Sequence, residues 1–133
     1  MGLRVLAGVK GLFKTEGTVI IFPSSGTGAW EAALTNTLSP GDKILMCETG
    51  QFAVLWGVMA NKLGLKPDII ATDWRIAADA NLIGAKLKAD KAHEIKAVCV
   101  VHNETSTGCR SMCDRVVVHG IEGEWRDVLQ IPV

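Results

Sequence analysis

The chain has 133 residues, of which 48% are hydrophobic and 21% charged, a length and composition that predict one modest globular domain. Fourteen basic residues balance fourteen acidic ones, so the formal net charge is zero, which argues against binding to nucleic acids or to anionic membranes. No apolar stretch approaches the roughly 18 residues that a membrane-spanning helix needs.

The predicted elements alternate between helices and strands. Residues 3–13 predict a short helix, because apolar side chains recur there at three- to four-residue spacing. Residues 18–22 are largely β-branched and end at Pro23, which predicts a buried strand. The later predicted elements are a helix at 29–38, a strand at 43–47, a helix at 52–63 that Gly64 ends, a strand at 68–72, a helix at 81–90 and a strand at 95–101.

The predicted strands are apolar throughout instead of alternating, which is typical of strands covered on both faces. We therefore predict an α/β fold: a partial, mainly parallel sheet with helices on both faces. Residues 109–133 show no sustained helical period and no clear place in that sheet. The sequence thus predicts an organised part at residues 1–108 and a divergent tail of unassigned structure at residues 109–133.

The loop at residues 23–28 reads Pro-Ser-Ser-Gly-Thr-Gly and joins a predicted strand to a predicted helix. Open sheets bind ligands at the carboxyl ends of their strands, and a helix N-terminus attracts anions there. Gly26 and Gly28 let the backbone approach an anion, while Ser25 and Thr27 add hydroxyl donors. The loop predicts a phosphate site, with a flexible turn and a Ser/Thr cap as the alternative.

Residues 102–108 read His-Asn-Glu-Thr-Ser-Thr-Gly and follow the last predicted strand, at the same edge of the sheet. Such a polar run after a buried strand favours a site, with a solvated loop of Ser/Thr turns as the alternative. Phe52 begins the helix after a third loop at this edge. It is placed to cover a flat ring in the crevice, or else it belongs to the core.

The cysteines predict two buried thiols, at Cys47 and Cys99, and no metal site. Cys47 and Cys99 lie in apolar runs, whereas Cys109 and Cys113 are four residues apart without a companion pair of histidines. This usage, together with an N-terminus that lacks a secretory pattern, predicts a reducing, cytoplasmic setting.

Three segments of the chain resemble the class V aminotransferases of the fold-type I pyridoxal-phosphate superfamily, and within them the serine–glyoxylate and alanine–glyoxylate aminotransferases. The segments are residues 22–34, 38–42 and 102–108. The resemblance covers about residues 5–108. It implies an incomplete pyridoxal-phosphate-binding large domain of that fold type at residues 1–108.

The resemblance implies pyridoxal 5′-phosphate as the cofactor. It assigns the cofactor phosphate to Ser25, Gly26 and Thr27, the aromatic that stacks on the pyridine ring to Phe52, and a hydroxyl near the ring and its phenolic oxygen to Thr105.

The resemblance also implies an activity: transfer of the amino group of serine or alanine to glyoxylate by a full-length homodimer that uses small amino acids and 2-oxo acids. The family's Schiff-base lysine and its aspartate on the pyridinium nitrogen lie beyond the last motif, and all nine lysines here precede residue 102. We therefore assign no catalytic residue and expect a fragment with little activity alone. The alternatives are a non-catalytic remnant that binds pyridoxal phosphate or another phosphate ligand, and a lyase or desulfurase with Cys109 as its reactive thiol.

Overall fold

A computed structural model describes residues 2–111 and 128–129, which form helices around a central sheet. The helices are α1 (Gly2–Phe13), α2 (Gly26–Thr37), α3 (Gln51–Lys62) and α4 (Ala80–Ala89). The strands are β1 (Lys43–Glu48), β2 (Lys66–Ala71), β3 (Ile95–Cys99), β4 (Asn103–Glu104), β5 (Cys109–Arg110) and β6 (Val128–Leu129).

The main sheet has the strand order β2-β1-β3-β6, and all of its pairings are parallel. Strands β4 and β5 form a separate antiparallel pair directly after β3. The chain runs from β1 through α3 to β2, and then returns through α4 to β3 on the other side of β1. The connections therefore reverse direction between β1 and β3, and open sheets bind ligands at such a reversal, outside the carboxyl ends of the strands.

Helices cover both faces of the sheet, which confirms the fold predicted from the apolar strands. Trp30 of α2 and Trp56 of α3 pack on one face with Ile44 and Met46 of β1. On the opposite face, α4 packs against the residues that alternate with these, and the members of that cluster are Leu45, Cys47, Ile70, Ile83, Leu87, Ile95, Val98 and Val100. The two-sided core explains why β1 and β3 read as continuous apolar runs.

The strand predicted at residues 18–22 is wrong. The structure has no strand there, and Ile20, Ile21 and Phe22 are all exposed. β-branched composition fits a pleated, half-buried surface, but a strand forms only beside a partner. In the part of the chain that the structure describes, β2 and β6 are the outer strands of the sheet, and neither pairs with this segment.

The other predicted elements are confirmed with small changes of boundary. Helix α2 begins at Gly26 instead of residue 29, and Gly64 follows α3 with a φ of +82°, the left-handed conformation expected of a glycine after a helix. Helix α1 forms as predicted but buries none of its residues.

The predicted tail falls largely outside the described residues, with two exceptions: β5 pairs with β4, and β6 pairs with β3. The boundary after residue 108 stays a prediction. In the described ranges, no helix is long and apolar enough to span a membrane.

The buried thiols should resist alkylation in the folded chain. Burial raises the pKa of Cys99 to about 12, so at about pH 8 only about one thiol in ten thousand is ionised. Alkylation with iodoacetamide, mapped by mass spectrometry, should modify the half-buried Cys109 well before Cys47 and Cys99. In denaturant the three should react at similar rates, and equal rates in the folded chain would contradict the burial. Because the folded pKa lies above the unfolded one, this burial stabilises the fold at neutral pH, and that stability declines as the pH rises past about 8.5.

Candidate functional site

The carboxyl edge of the sheet brings together the start of α3 and the β4–β5 hairpin. Helix α3 begins three residues after β1 ends, and the hairpin follows β3, so both lie where the connections reverse direction. Because β1 and β3 are adjacent and parallel, the segments that leave their carboxyl ends meet.

Glu104 connects these two segments. Its side chain is only 1% exposed, and its carboxylate lies at the N-terminus of α3. Oε2 accepts a hydrogen bond from the backbone N–H of Ala53 at 3.1 Å, and Oε1 accepts from that of Phe52 at 3.4 Å. The first N–H groups of a helix have no carbonyl partner within it and carry a partial positive charge. An anion held there is therefore stabilised.

Ser106 completes this cap. Its hydroxyl accepts a hydrogen bond from the backbone N–H of Gln51 at 3.0 Å and donates to Oε1 of Glu104 at 2.6 Å, while its own N–H donates to the same oxygen at 3.1 Å. Three consecutive N–H groups of α3 are thus satisfied by Glu104 and Ser106 from a loop about fifty residues later in the chain.

The cap approaches the chain so closely that residue 50 has no room for a side chain. A Cβ built on Gly50 would lie 2.6 Å from Cδ of Glu104 and 2.7 Å from Oγ of Ser106. Gly50 is itself buried, and its φ of 164° is extended backbone that any residue adopts. A glycine is therefore required here for space, and its conformation imposes no such requirement.

Phe52 lies on the first turn of α3 and connects this cap to α2. Its ring is half-buried and meets that of Trp30 edge to face, with the centroids 6.1 Å apart. Trp30 in turn stacks on Trp56, with centroids 5.2 Å apart. Phe52 therefore packs against the core, as one of its two interpretations from the sequence expected, and its role as the cover of a flat ring stays a prediction.

The N-terminus of α2 differs from that of α3 in the side chains that lie against it. Ser25 is in the N-cap position, yet within the described part of the chain its side chain makes no capping hydrogen bond, and the first turn carries no acidic residue. Ser25 and Thr27 are exposed and Gly26 is half-buried. The missing side chain of Gly28 leaves the space that Ser24 fills, since a Cβ on Gly28 would collide with the Ser24 hydroxyl.

The structure therefore places the predicted residues in two groups. Phe52 and Thr105 belong to the α3 cap, since Thr105 stands between Glu104 and Ser106 and is exposed. Ser25, Gly26 and Thr27 belong to the start of α2, about one helical turn before Trp30. Because α2 ends at the edge where β1 begins, its N-terminus points to the carboxyl edge, and the Trp30–Phe52 contact connects the two groups. Their roles toward a cofactor stay predictions.

The sequence missed the cap itself. Glu104, Ser106 and Gly50 are all part of motifs or turns visible in the sequence, but no local pattern indicates that a loop after β3 caps a helix after β1. Thr49 was also missed. It is fully buried beside this cap, and its Oγ1 has no hydrogen-bond partner among the described residues.

A polar loop after β2 reaches the same edge. Trp74 donates through Nε1 to Oε1 of Glu48 at 3.3 Å, and Arg75 pairs with Asp73. Hydrogen bonds from Arg75 lower the pKa of the exposed Asp73 carboxyl. Within residues 2–111 and 128–129, no three His, Cys, Asp or Glu side chains are grouped as metal ligands.

Comparison with known proteins gives clear relatives, although no protein-family model matches the chain. It is 50% identical over 105 residues to the serine–glyoxylate aminotransferase of Arabidopsis thaliana, which covers 78% of this chain and 26% of that protein. It is 55% identical over 97 residues to the serine–glyoxylate aminotransferase of Methylorubrum extorquens, which covers 73% of this chain and 24% of that protein. It is 47% identical over 107 residues to the L-aspartate–glyoxylate aminotransferase of Paracoccus denitrificans, which covers 80% of this chain and 27% of that protein.

The fold has relatives among solved structures as well. The crystal structure of an alanine–glyoxylate aminotransferase from Nostoc sp. matches with a TM-score of 0.68 at 28% identity, over 81% of this chain and 28% of that one. The architecture is thus that of part of an aminotransferase domain. The matched part of the chain belongs to the aminotransferase family of these relatives, and within it the sequence is similar to the serine–glyoxylate aminotransferases, which confirms the resemblance. The chain spans about a quarter of the length of the curated relatives it matches.

Proposed function

We propose that this chain is the cofactor-binding part of a pyridoxal-phosphate-dependent aminotransferase, and that its crevice holds the cofactor between the start of α2 and the cap of α3. The observation that carries the proposal is the difference between the two helix N-termini at the carboxyl edge. The one at α3 is occupied by the Glu104 carboxylate, whereas no side chain among the described residues caps the one at α2, whose first turn carries no acidic residue.

This difference favours the start of α2 over the start of α3 as the phosphate site. A phosphate near α3 would meet the buried carboxylate of Glu104, whereas a phosphate at α2 would meet the first N–H groups of the helix and the hydroxyls of Ser25 and Thr27. The residues present at α2 therefore fit an anionic group. The half-buried ring of Phe52, which contacts the second turn of the same helix through Trp30, would stack on the pyridine ring, and Thr105 would approach the phenolic oxygen of that ring.

When bound, the cofactor would supply an electron sink for the carbanion formed at the α-carbon of the amino acid. The residues of this chain would bind and orient it. We propose serine or alanine as amino donor and glyoxylate as acceptor, by similarity to the glyoxylate aminotransferases. The aspartate–glyoxylate enzyme is nearly as similar in sequence, so the donor has to be established by assay.

None of the nine lysines follows the motif at residues 102–108. We therefore assign the covalent step and the homodimer to the whole protein, and expect the 133-residue chain to bind the cofactor with little or no turnover. Location in the cytoplasm stays a prediction.

Binding at α2 can be measured with 4′-deoxypyridoxine 5′-phosphate, which keeps the ring and the phosphate but lacks the aldehyde that would react with surface lysines. The double variant Ser25→Ala/Thr27→Ala should bind it roughly a hundredfold or more weakly by isothermal titration calorimetry, because it removes two hydrogen bonds to a charged group, each worth about 1.5–3 kcal/mol.

The matched control for this experiment is Thr35→Ala/Thr37→Ala, at the other end of the same helix. Those hydroxyls donate to backbone carbonyls of α2, so their loss should leave the affinity unchanged. If the wild-type chain does not bind the analogue, or if both double variants bind it equally, the phosphate is not held at α2. Transfer of serine nitrogen to glyoxylate by the full-length gene product tests the activity itself.

A further inference from the structure

We propose that Glu104 is a positioning residue of the cofactor site: its buried carboxylate joins the hairpin to the start of α3 and thereby fixes Phe52 and Thr105 relative to each other. This inference rests on the proposed function. It goes beyond that function because Glu104 touches neither the phosphate site nor, as proposed, the ring, and acts only through its two neighbours.

The connections are short on both sides. Glu104 Oε1 accepts a hydrogen bond from the backbone N–H of Phe52, and Thr105 is the next residue along the chain. On its other side, Thr105 is followed by Ser106, which is bonded both to Glu104 and to the N–H of Gln51. Thr105 is therefore held from both ends by residues anchored to the turn of α3 that carries Phe52.

The carboxylate of Glu104 satisfies all the groups around it, because both of its oxygens accept hydrogen bonds. Glu104 is surrounded by four donors, namely the N–H groups of Phe52, Ala53 and Ser106 and the hydroxyl of Ser106. A glutamine amide has one acceptor oxygen and an NH₂ group that would face an N–H donor, so it leaves at least one buried donor without a partner. The Glu104 side chain lies directly against Gly50, in the space that a Cβ at residue 50 would need.

A change at Glu104 should affect the affinity for the cofactor analogue more than the affinity for inorganic phosphate. If Glu104 positions the ring-binding residues, then Glu104→Gln should weaken the binding of 4′-deoxypyridoxine 5′-phosphate roughly tenfold, which corresponds to the loss of about one hydrogen bond to a charged group. The affinity for inorganic phosphate, which needs only the start of α2, should change less than about twofold. A residue that only stabilises the fold would lower both affinities together.

The experiment measures both affinities by calorimetry, the phosphate one by competition with the analogue, in the 133-residue chain. Near-ultraviolet circular dichroism of the stacked Trp30–Trp56 pair reports whether each variant keeps its core. Ser106→Ala is the second variant, since it removes one partner of Glu104 without removing the charge, and it should shift the ratio of the two affinities about threefold in the same direction.

Asp90→Asn is the matched control. The Asp90 carboxylate also accepts backbone hydrogen bonds, from Glu94 at 3.2 Å and Ile95 at 2.8 Å, but it does so at the amino end of β3, the opposite edge of the sheet. Its variant should leave the ratio unchanged.

The outcomes separate this inference from the proposed function. No binding of the analogue by the wild-type chain overturns the proposed function and the inference with it. The inference alone is overturned if the wild-type chain binds the analogue and both Glu104→Gln and Ser106→Ala keep the wild-type ratio of the affinities for the analogue and for inorganic phosphate. If Glu104→Gln loses the tryptophan signal, the ratio in Ser106→Ala decides.

Discussion

Replacing Trp56 with alanine should lower the free energy of unfolding by about 3–5 kcal/mol, the range observed when a large buried aromatic side chain is removed. Trp56 is 1% exposed, stacks on Trp30 and lies in the cluster between α3 and the sheet. Its removal would leave a cavity in the cluster that contains Ile44 and Met46, and Trp30 would lose its stacking partner. The measurement is urea denaturation followed by circular dichroism.

Two controls make this prediction specific. Trp74→Ala removes the same side chain from an exposed loop and should cost less than about 1 kcal/mol. Trp56→Phe keeps an aromatic ring and removes a buried indole N–H that has no hydrogen-bond partner among the described residues, so it should cost much less than Trp56→Ala. Equal losses in Trp56→Ala and Trp74→Ala would show that the stacked pair does not lie in the core.

Gly50→Ala should lower the free energy of unfolding by at least about 2 kcal/mol and should also weaken binding of the cofactor analogue. The added methyl group overlaps the Glu104 side chain, and overpacking of this kind typically costs about 1–3 kcal/mol before any hydrogen bond is lost. Because Glu104 and Ser106 must move to make room, the three N–H groups of α3 lose their partners as well.

The control for Gly50→Ala is a glycine-to-alanine substitution that should change the free energy of unfolding in the opposite direction. Gly84 lies inside α4, and a Cβ built on it meets no atom within 4 Å. Gly84→Ala should therefore raise stability by roughly 0.5–1 kcal/mol, since alanine loses less backbone entropy than glycine when a helix forms. Both variants are compared with the wild-type chain by urea denaturation and by calorimetric titration with the analogue. A Gly50→Ala chain as stable as Gly84→Ala would contradict the close approach of Glu104.

The sheet was predictable because its signal is local. Strands β1 and β3 are buried on both faces, so each is a short run of apolar residues, and Gly64 marks the end of α3 by a conformation that favours glycine. The segment at residues 18–22 has the same local composition but no partner strand among the described residues, and composition alone does not record whether a partner exists.

The candidate site was predictable only in part, for a related reason. Ser25, Gly26 and Thr27 stand in a glycine-rich loop before a helix, and Thr105 stands in a polar run after a strand, so both loops could be identified from composition. The role of Glu104 depends on its hydrogen bonds with Phe52 and Ala53. These two residues lie more than fifty positions earlier in the chain. That contact follows from the neighbouring positions of β1 and β3 in the sheet, which no local pattern encodes.

The Glu104 carboxylate at the N-terminus of α3 also limits how much negative charge the proposed cofactor site, between the starts of α2 and α3, can accommodate. With Glu104 at the start of α3, the start of α2 is the helix end that no side chain in the described part of the chain caps, and it is the proposed site for an external anion. A molecule with phosphate groups at both ends would gain from one of them and would carry the other toward a carboxylate. The crevice should therefore discriminate by charge count, favouring monophosphorylated ring compounds over bisphosphorylated ones.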